Sequence, residues 1–324
     1  MFEKEIFNIK SSEEFEQLAL EVFRFQYENV PVYHNFCDLL NTKVHEVATL
    51  KQIPFLPIQF FKSHKIIARN TSEDTIFTSS GTTGSITSQH FVSDLKVYEK
   101  SFQKAFELQY GKPENYTILA LLPSYLEREG SSLIYMVENL IEKTNNTQSG
   151  FYLYEMEALI NKLEVLEKTH QKTLLIGVSY ALLDLIEKQN FQLEHTIVME
   201  TGGMKGRRKE MIKEELHEIL KEGFGVSTIH SEYGMTELLS QAYSTGEGVF
   251  NCPPWMKILT RDTEDAFTYT SGKTGGINVI DLANLYSCAF IATQDLGKTA
   301  DDGSFEIIGR FDSSDIRGCN LMVL

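Results

Sequence analysis

The sequence is poor in cysteine and has no long apolar run. Its 324 residues include four cysteines, Cys37, Cys252, Cys288 and Cys319, which are widely spaced and form no C-x-x-C pair. This spacing indicates neither a zinc motif nor a dense disulfide framework, and we expect a reducing, cytoplasmic setting. No apolar run reaches the ~18 residues of a membrane-spanning helix. Residues 1–5 also lack the basic and apolar regions of a signal peptide.

Positive charge is scarce as well. The formal net charge is −15, from 30 basic and 45 acidic residues, and the isoelectric point is about 5.0. A protein that binds the backbone of nucleic acid needs a basic face, so we exclude that class of partner. The negative net charge does not exclude a local binding site for a small anion. The hydrophobic content of 42% and charged content of 23% are ordinary for a globular enzyme of one large or two smaller domains.

A run of six small residues follows the β-prone stretch 75–78. Two glycines in it permit backbone angles that let N–H groups converge, and hydroxyls add further donors, which suits a polyphosphate. It is not a Walker A loop, because no Lys-Ser or Lys-Thr closes it. The alternative is a flexible Ser/Gly turn. The run consists of Ser79, Ser80, Gly81, Thr82, Thr83 and Gly84.

Helical and strand patterns alternate through the first three quarters of the chain. Ser11 and Glu14 form a capping-box pattern at the start of a helix predicted over 12–28, and Pro31 is expected to break helices. Further helices are predicted at 131–143, 155–169, 181–188 and 205–222, besides one capped by Ser93, with Gly223 ending the helix 205–222. Strands are predicted at 116–122, 173–178, 196–199 and 226–229. This alternation predicts an α/β fold with a largely parallel sheet and helices on its faces. Beyond residue 248 strands dominate, at 276–280, 288–293 and 305–309. We therefore predict an α/β core over 1–248 and a smaller β-rich subdomain over 249–324.

Three further motifs, in order, make a family resemblance visible. They are Tyr233-Gly234-Met235-Thr236-Glu237, Asp295, and Gly309-Arg310-Phe311-Asp312. With residues 79–84 they resemble the phosphate, adenylate, ribose and hinge motifs of the acyl-adenylating superfamily, which includes acyl-CoA synthetases and firefly luciferase. Residues 231–243, 281–284 and 317–319 resemble the LuxE-type acyl-protein synthetases, which load a fatty acid onto a protein thiol. The resemblance runs from about residue 15 to the C-terminus.

The resemblance implies the adenylating-enzyme N-terminal-domain fold, ATP and Mg²⁺ as cofactors, and a role for each motif. Thr82 and Thr83 would donate hydroxyls to the β- and γ-phosphates, and Gly202-Gly203 would pass the adenine edge. The adenylate and ribose motifs would act as follows: Tyr233 against the adenine face, Thr236 on the α-phosphate, Glu237 on Mg²⁺, and Asp295 and Arg310 on the ribose. Two departures stand out, since residues 85–88 contain no Lys after the loop and Gln294 replaces the usual Gly before Asp295.

The superfamily's mobile C-terminal domain, with its catalytic Lys, is expected to be absent, because only residues 313–324 follow the hinge motif. This disfavours a CoA tunnel and favours transfer to a thiol, for which Cys319 beside Arg317 is the candidate. The alternative for Cys319 is a buried small hydrophobe. The implied partners are a fatty or other carboxylic acid and an acyl-accepting reductase or carrier protein; a homo-oligomer stays open. The competing functions are an acid–CoA ligase and a catalytically silent nucleotide-binding scaffold.

Overall fold

The structure is a computed structural model that describes residues 2–79, 86–123, 129–202, 208 and 211–311. Within these residues, no helix is long and apolar enough to cross a membrane. The helices in chain order are α1 (Phe2–Ile6), α2 (Ser12–Asn29), α3 (Pro31–Leu39), α4 (Phe60–Ser63), α5 (Leu95–Tyr110), α6 (Ser132–Lys143), α7 (Met156–Lys168), α8 (Ser179–Lys188) and α9 (Lys213–Phe224).

The strands include several short ones at the junctions between helices. In chain order they are β1 (Leu56–Pro57), β2 (Thr75–Thr78), β3 (Gln89–Val92), β4 (Thr117–Leu121), β5 (Gly150–Phe151), β6 (Thr173–Val178), β7 (Thr196–Thr201), β8 (His230–Tyr233), β9 (Ala242–Ser244), β10 (Val249–Asn251), β11 (Met256–Arg261), β12 (Tyr269–Thr270), β13 (Gly275–Asp281), β14 (Phe290–Thr299) and β15 (Phe305–Arg310).

Among the described residues, all strands except β2 and β3 belong to one sheet. Its order is β12-β11-β13-β14-β15-β10-β9-β8-β7-β6-β4-β5, with β1 paired to β14. The stretch from β8 to β5 is parallel, as the alternation of strands and helices predicts, and the pairs from β12 to β8 are antiparallel. The predicted division at residue 248 falls between β9 and β10, which are hydrogen-bonded neighbours. The two-domain division therefore stays a prediction.

The N-terminal helix α2 is tied to the segment that leads into β14. Ser11 caps the helix by accepting from the Glu14 N–H, as the capping-box pattern predicts. The fully buried side chain of Gln26 donates to the carbonyls of Asn284 and Leu285 and accepts from the Ala289 N–H. A buried amide with all these partners satisfied fixes the helix rigidly against this segment.

Four local predictions are wrong in their details. Helix α5 is capped by Asp94, which accepts from the Lys96 N–H, and not by Ser93. Pro31 does not break a helix but begins α3, at the first-turn position where its missing N–H costs nothing. The predicted strand 226–229 lies instead at β8, and the predicted helix from 205 begins only at Lys213.

Gly223 does not end α9 either. It lies inside the helix, where a Cβ would meet the side chain of Ile186 at 2.7 Å, so its role is close packing against α8. The helix ends at Gly225, whose φ of +66° is the left-handed conformation that glycine adopts without strain.

Candidate active site

A cavity of about 590 Å³ opens at the carboxyl ends of the parallel strands. Leu122 and Pro123 follow β4, Val178 ends β6, Thr201 ends β7 and Tyr233 ends β8, and all of them line it. Crevices at this edge of an open α/β sheet are the usual ligand sites of such folds. The volume is also in the range of small-molecule pockets.

The site residues predicted from the sequence converge here wherever the structure describes them. The connection between β2 and β3, the end of β7, the segment after β8, and strands β14 and β15 all contribute to the lining. The predicted residues that line the cavity are Ser79, Gly202, Tyr233, Gly234, Thr236, Glu237, Asp295 and Arg310. The others, Ser80, Gly81, Thr82, Thr83, Gly84, Gly203 and Cys319, lie outside the described residues.

Asp295 is held between a tyrosine and an arginine. Its Oδ2 accepts a 2.9 Å hydrogen bond from the Tyr233 hydroxyl, and its Oδ1 lies 3.3 Å from Nε of Arg310. The register of β14 and β15 places Asp295 directly opposite Arg310. Asp295 is 13% exposed, whereas Arg310 is 70% exposed, so the arginine can reorient towards a ligand while the carboxylate stays fixed. Gln294 sits within β14 and its carbonyl accepts from the Phe311 N–H.

Burial governs the electrostatics of the two predicted functional carboxylates. It raises the pKa of Asp295, against the opposing effects of Arg310 and the Tyr233 hydrogen bond. Burial likewise raises the pKa of Glu237, against a hydrogen bond from Ser88 and the charges of Lys62 and Arg310. Both groups thus lie in a water-poor pocket where a bound cation or hydroxyl is attracted strongly.

The segment between β8 and β9 carries Thr236 and Glu237 on an irregular backbone. No helix follows the tyrosine-glycine pair before β9 begins at Ala242. The Thr236 carbonyl lies 2.8 Å from Nδ1 of His90, and the Glu237 carbonyl accepts from the Asn284 amide at 2.7 Å. His90 and Asn284 also contact each other, at 2.9 Å. Burial lowers the pKa of His90 to about 4, against these two hydrogen bonds.

Asp281 holds the next part of the same segment. It is fully buried, accepts from the backbone N–H groups of Leu239 and Ser240, and accepts from the Ser240 hydroxyl at 2.5 Å. The sequence marked residues 281–284 only as part of the family resemblance. The structure shows what its two polar members do: Asp281 and Asn284 fix the backbone that presents Thr236 and Glu237.

Two acidic residues of the cavity were missed by the sequence reasoning. Glu232 is 8% exposed and accepts a 2.5 Å hydrogen bond from the Thr201 hydroxyl. A Cβ at Gly234 would meet this carboxylate, so the Glu232 side chain would have to move if Gly234 were replaced. Glu200 accepts from Lys213, with Nζ and Oε1 2.5 Å apart. In the sequence, neither acid stands out from the many Glu residues of ordinary strands and helices.

One wall of the cavity is apolar. It begins at Leu122 and Val178 on the strand ends and continues along α6 through Ile134 and Met136. Phe250 on β10 adds an aromatic surface. The cavity therefore combines a polar region with an apolar wall that suits a hydrocarbon group.

The fold is shared with solved structures that include a CoA ligase. An open conformation of 2-hydroxyisobutyryl-CoA ligase, in complex with 2-HIB-AMP and CoA, superposes with a TM-score of 0.67 and 12% identity over 94% of this chain and 77% of that one. ATP-bound MatB from Rhodopseudomonas palustris gives 0.53 and 17% over 72% of this chain and 47% of that one. The predicted α/β adenylating-enzyme fold is thereby confirmed.

The family itself follows from the sequence match. The model of the family described as acyl-protein synthetase, LuxE, matches residues 5–324, and the chain belongs to this family. It is also similar to the long-chain-fatty-acid–luciferin-component ligase of Aliivibrio fischeri, at 22% identity over 341 residues that cover 94% of this chain and 86% of that protein. The resemblance drawn from the motifs is confirmed, and with it the class of acyl-activating ligase.

Proposed function

We propose that this protein uses ATP to activate a fatty acid as an acyl-adenylate and passes the acyl group to a protein thiol. The observation that carries the proposal is the convergence of four distant segments on one cavity. The segments around Ser79, Gly202, Thr236 and Asp295 are far apart in sequence, and each was predicted to bind a different part of one ATP molecule. In a cavity at the carboxyl edge of the sheet, one bound ligand can contact all four segments.

In the first step, the substrate carboxylate attacks the α-phosphorus of ATP. A bond forms between a carboxylate oxygen and that phosphorus, the bond to the bridging oxygen breaks, and pyrophosphate leaves. Thr236 donates to the α-phosphate, while Asp295, braced by Tyr233, accepts from the ribose hydroxyls and Arg310 provides a second contact. The protein contributes orientation and electrostatic stabilisation.

In the second step, a thiolate attacks the acyl carbonyl carbon. The new carbon–sulfur bond replaces the bond to the phosphate oxygen, and AMP leaves with the electron pair of that bond. The proton that the thiol lost passes to solvent. This step produces a thioester and consumes no further ATP.

The residues of the cavity fit a magnesium ion brought in with ATP. No group of three or more His, Cys, Asp or Glu able to hold a metal occurs in the described part of the chain. Glu237 is a buried carboxylate in the cavity, and Mg²⁺ commonly takes one or two carboxylates together with phosphate oxygens and waters. The ion would neutralise phosphate charge, and Glu237 would hold it.

The apolar wall supports a hydrocarbon acid as the substrate. Leu122, Ile134, Met136 and Val178 line the same cavity as Thr236 and Glu237. A carboxylate at the α-phosphate would leave its alkyl chain along this wall, where its burial is favourable. The similar Aliivibrio fischeri protein is named for a long-chain fatty acid.

The acceptor thiol we propose is Cys319. The described residues include three of the four cysteines, namely Cys37, Cys252 and Cys288. Burial raises the pKa of each of these three thiols, that of Cys37 to about 12. A thiol with a raised pKa is a poor nucleophile at neutral pH, because the thiolate is the reactive form. A reductase or carrier protein would receive the acyl group next.

An acid–CoA ligase is the second candidate, because the solved structures of the same fold include CoA ligases. The two functions differ only in the acyl acceptor. Free CoA converted to acyl-CoA would favour the ligase, whereas labelling of the protein itself would favour the acyl-protein synthetase. A protein that makes no adenylate with any acid would be a nucleotide-binding scaffold.

The test is acid-dependent exchange of pyrophosphate into ATP, measured across a panel of fatty and shorter acids. We expect exchange with the wild type and a loss of a few orders of magnitude in Glu237→Ala, since removing a metal clamp costs about 3–5 kcal/mol of transition-state stabilisation. The control is Glu306→Ala, which removes an exposed carboxylate of β15 that does not line the cavity. Normal exchange in Glu237→Ala would contradict the metal assignment.

A further inference from the structure

Among the residues that the structure describes, three cationic side chains line the cavity, and two of them form ion pairs. Lys213 pairs with Glu200 at 2.5 Å, and Arg310 lies 3.3 Å from Asp295. The third is Lys62 on α4, which forms no ion pair within the described part of the chain. Among the described residues of the lining, Lys62 is therefore the cation that is not held in an ion pair.

The short helix α4 is fixed firmly to the active-site framework. The preceding strand β1 pairs in parallel with β14, and the Ile58 N–H donates to the Ala292 carbonyl at 3.0 Å. Phe61, beside Lys62, is 1% exposed and packs edge-on against His90 with 5.6 Å between ring centroids. His90 in turn contacts the Thr236 carbonyl. Lys62 is thus presented by a backbone braced against the segment that carries Thr236 and Glu237.

Lys62 shares the cavity lining with two serine hydroxyls and a carboxylate. Ser79 and Ser88, at the two described ends of the β2–β3 connection, line the cavity with it, as does Glu237. Lys62 is near enough to Glu237 for its charge to oppose the rise in the pKa of that carboxyl that burial causes. The connection itself carries no basic side chain, since residues 79–88 include neither Lys nor Arg.

A lysine beside bound polyphosphate stabilises its charge in addition to any metal that accompanies it. We propose that Lys62 binds the β- and γ-phosphates of ATP and stabilises the departing pyrophosphate. The inference rests on the proposed function and adds a phosphate-binding residue from α4, which belongs to none of the motifs that the sequence marked. The flexible side chain of Lys62 is exposed at the cavity, so it can reach an incoming ligand without desolvation of a buried charge.

The test compares ATP, ADP and AMP binding by calorimetry at fixed Mg²⁺ in wild type, Lys62→Gln and Lys62→Arg. We expect Lys62→Gln to weaken ATP about ten- to hundredfold, the effect of losing a hydrogen bond to a charged group, and to leave AMP unchanged. Lys62→Arg keeps the charge and should restore most of the affinity. The control is Lys65→Gln, because Lys65 pairs with Glu73 at 2.8 Å outside the cavity.

The outcomes separate this inference from the function on which it rests. Unchanged ATP affinity in Lys62→Gln, or an equal loss for ATP and AMP, would overturn the assignment to the β- and γ-phosphates while the function stands. A wild type that binds no nucleotide would overturn both. Melting temperatures without ligand should agree among the variants, since Lys62 is exposed, and this measurement shows that each variant is folded.

Discussion

At the scale of single residues, Glu200 is unusual because it is a buried acidic side chain that lines the cavity. It is 3% exposed, and it accepts from Lys213 at 2.5 Å, with His217 3.5 Å away. Burial acts to raise its pKa, but the charge of Lys213 and the hydrogen bonds from His217, Lys213 and Ser231 outweigh it and lower the pKa from 4.5 to about 2. The folded state therefore favours the ionised carboxylate.

This pKa shift predicts a specific pH dependence of stability. Because the pKa of Glu200 is lower in the folded state, its stabilisation is complete above the ordinary value of 4.5 and is lost as the pH falls towards 2. The contribution at neutral pH is about 3 kcal/mol. In denaturant unfolding, the stability difference between wild type and Glu200→Gln should be constant above pH 5.5 and shrink steadily between pH 4.5 and 3.

The matched control for this measurement is Glu306→Gln, which changes an exposed glutamate on β15. Its stability difference from wild type should stay small and flat across the same range. A Glu200→Gln difference that does not shrink with acid would show that the buried ion pair does not set the pKa of Glu200.

At the scale of elements, local sequence signals were sufficient where a cap and a periodic apolar face coincide. The strand at 173–178 and the helix after Ser131 are found as predicted, because all six residues of β6 are buried and Ser131 caps α6. The helix predicted over 205–222 is found as α9, which begins at Lys213. Arg208 lies outside the helix and pairs with Asp184 and Glu187 of α8.

The support of the segment that carries Thr236 and Glu237 lies beyond prediction from one sequence. His90 and Asn284 are 194 residues apart, and both contact the backbone of Thr236 and Glu237. A lone histidine and an asparagine carry no signal that they meet. The motif residues can be recognised because their spacing is local, whereas the residues that hold them in place are brought together by the fold.

We predict that Asn284→Ala damages this segment more than the rest of the fold. The change leaves the Glu237 carbonyl without its buried donor, which costs about 1–3 kcal/mol. Pyrophosphate exchange should fall at least tenfold at temperatures where the protein stays folded, because Thr236 and Glu237 lose their fixed position. Exchange assays and circular dichroism melts on the same preparation measure both effects.

The control is Asn278→Ala, which removes another buried amide, one that accepts from Arg261 on β11 and does not line the cavity. This variant should lose comparable stability and keep its exchange activity. Equal losses of activity in the two variants would mean that general destabilisation, and not the position of the segment, explains the effect of Asn284.

At the scale of the whole molecule, the cavity depends on both halves of the sheet. The parallel strands β4, β6, β7 and β8 supply one set of edges, and the antiparallel pair β14–β15 supplies Asp295 and Arg310. The β2–β3 hairpin brings Ser79 and Ser88 to the same place. The order of the motifs along the chain is visible in the sequence. Their convergence on one cavity is not, because it depends on the order of strands in the sheet, which places strands distant in the chain side by side.

The final prediction concerns the fate of the acyl group. Adenylation and thiol transfer are separate steps, so one variant can distinguish them. The wild type, given radioactive fatty acid and ATP, should become labelled through a bond that hydroxylamine cleaves. Cys319→Ser should lose this label and keep pyrophosphate exchange, because no thiol takes part in forming the acyl-adenylate.

The matched control is Cys252→Ser, because burial raises the pKa of that thiol and makes it a poor nucleophile. Labelling of this control should equal that of the wild type and rise with pH as the reactive thiolate forms.

Undiminished label in Cys319→Ser would assign the acyl group to another residue. An unlabelled wild type that converts CoA to acyl-CoA would establish the ligase alternative. An unlabelled wild type that exchanges pyrophosphate but ignores CoA would mean that the adenylate reacts directly with a separate protein, which leaves Cys319 without a catalytic role.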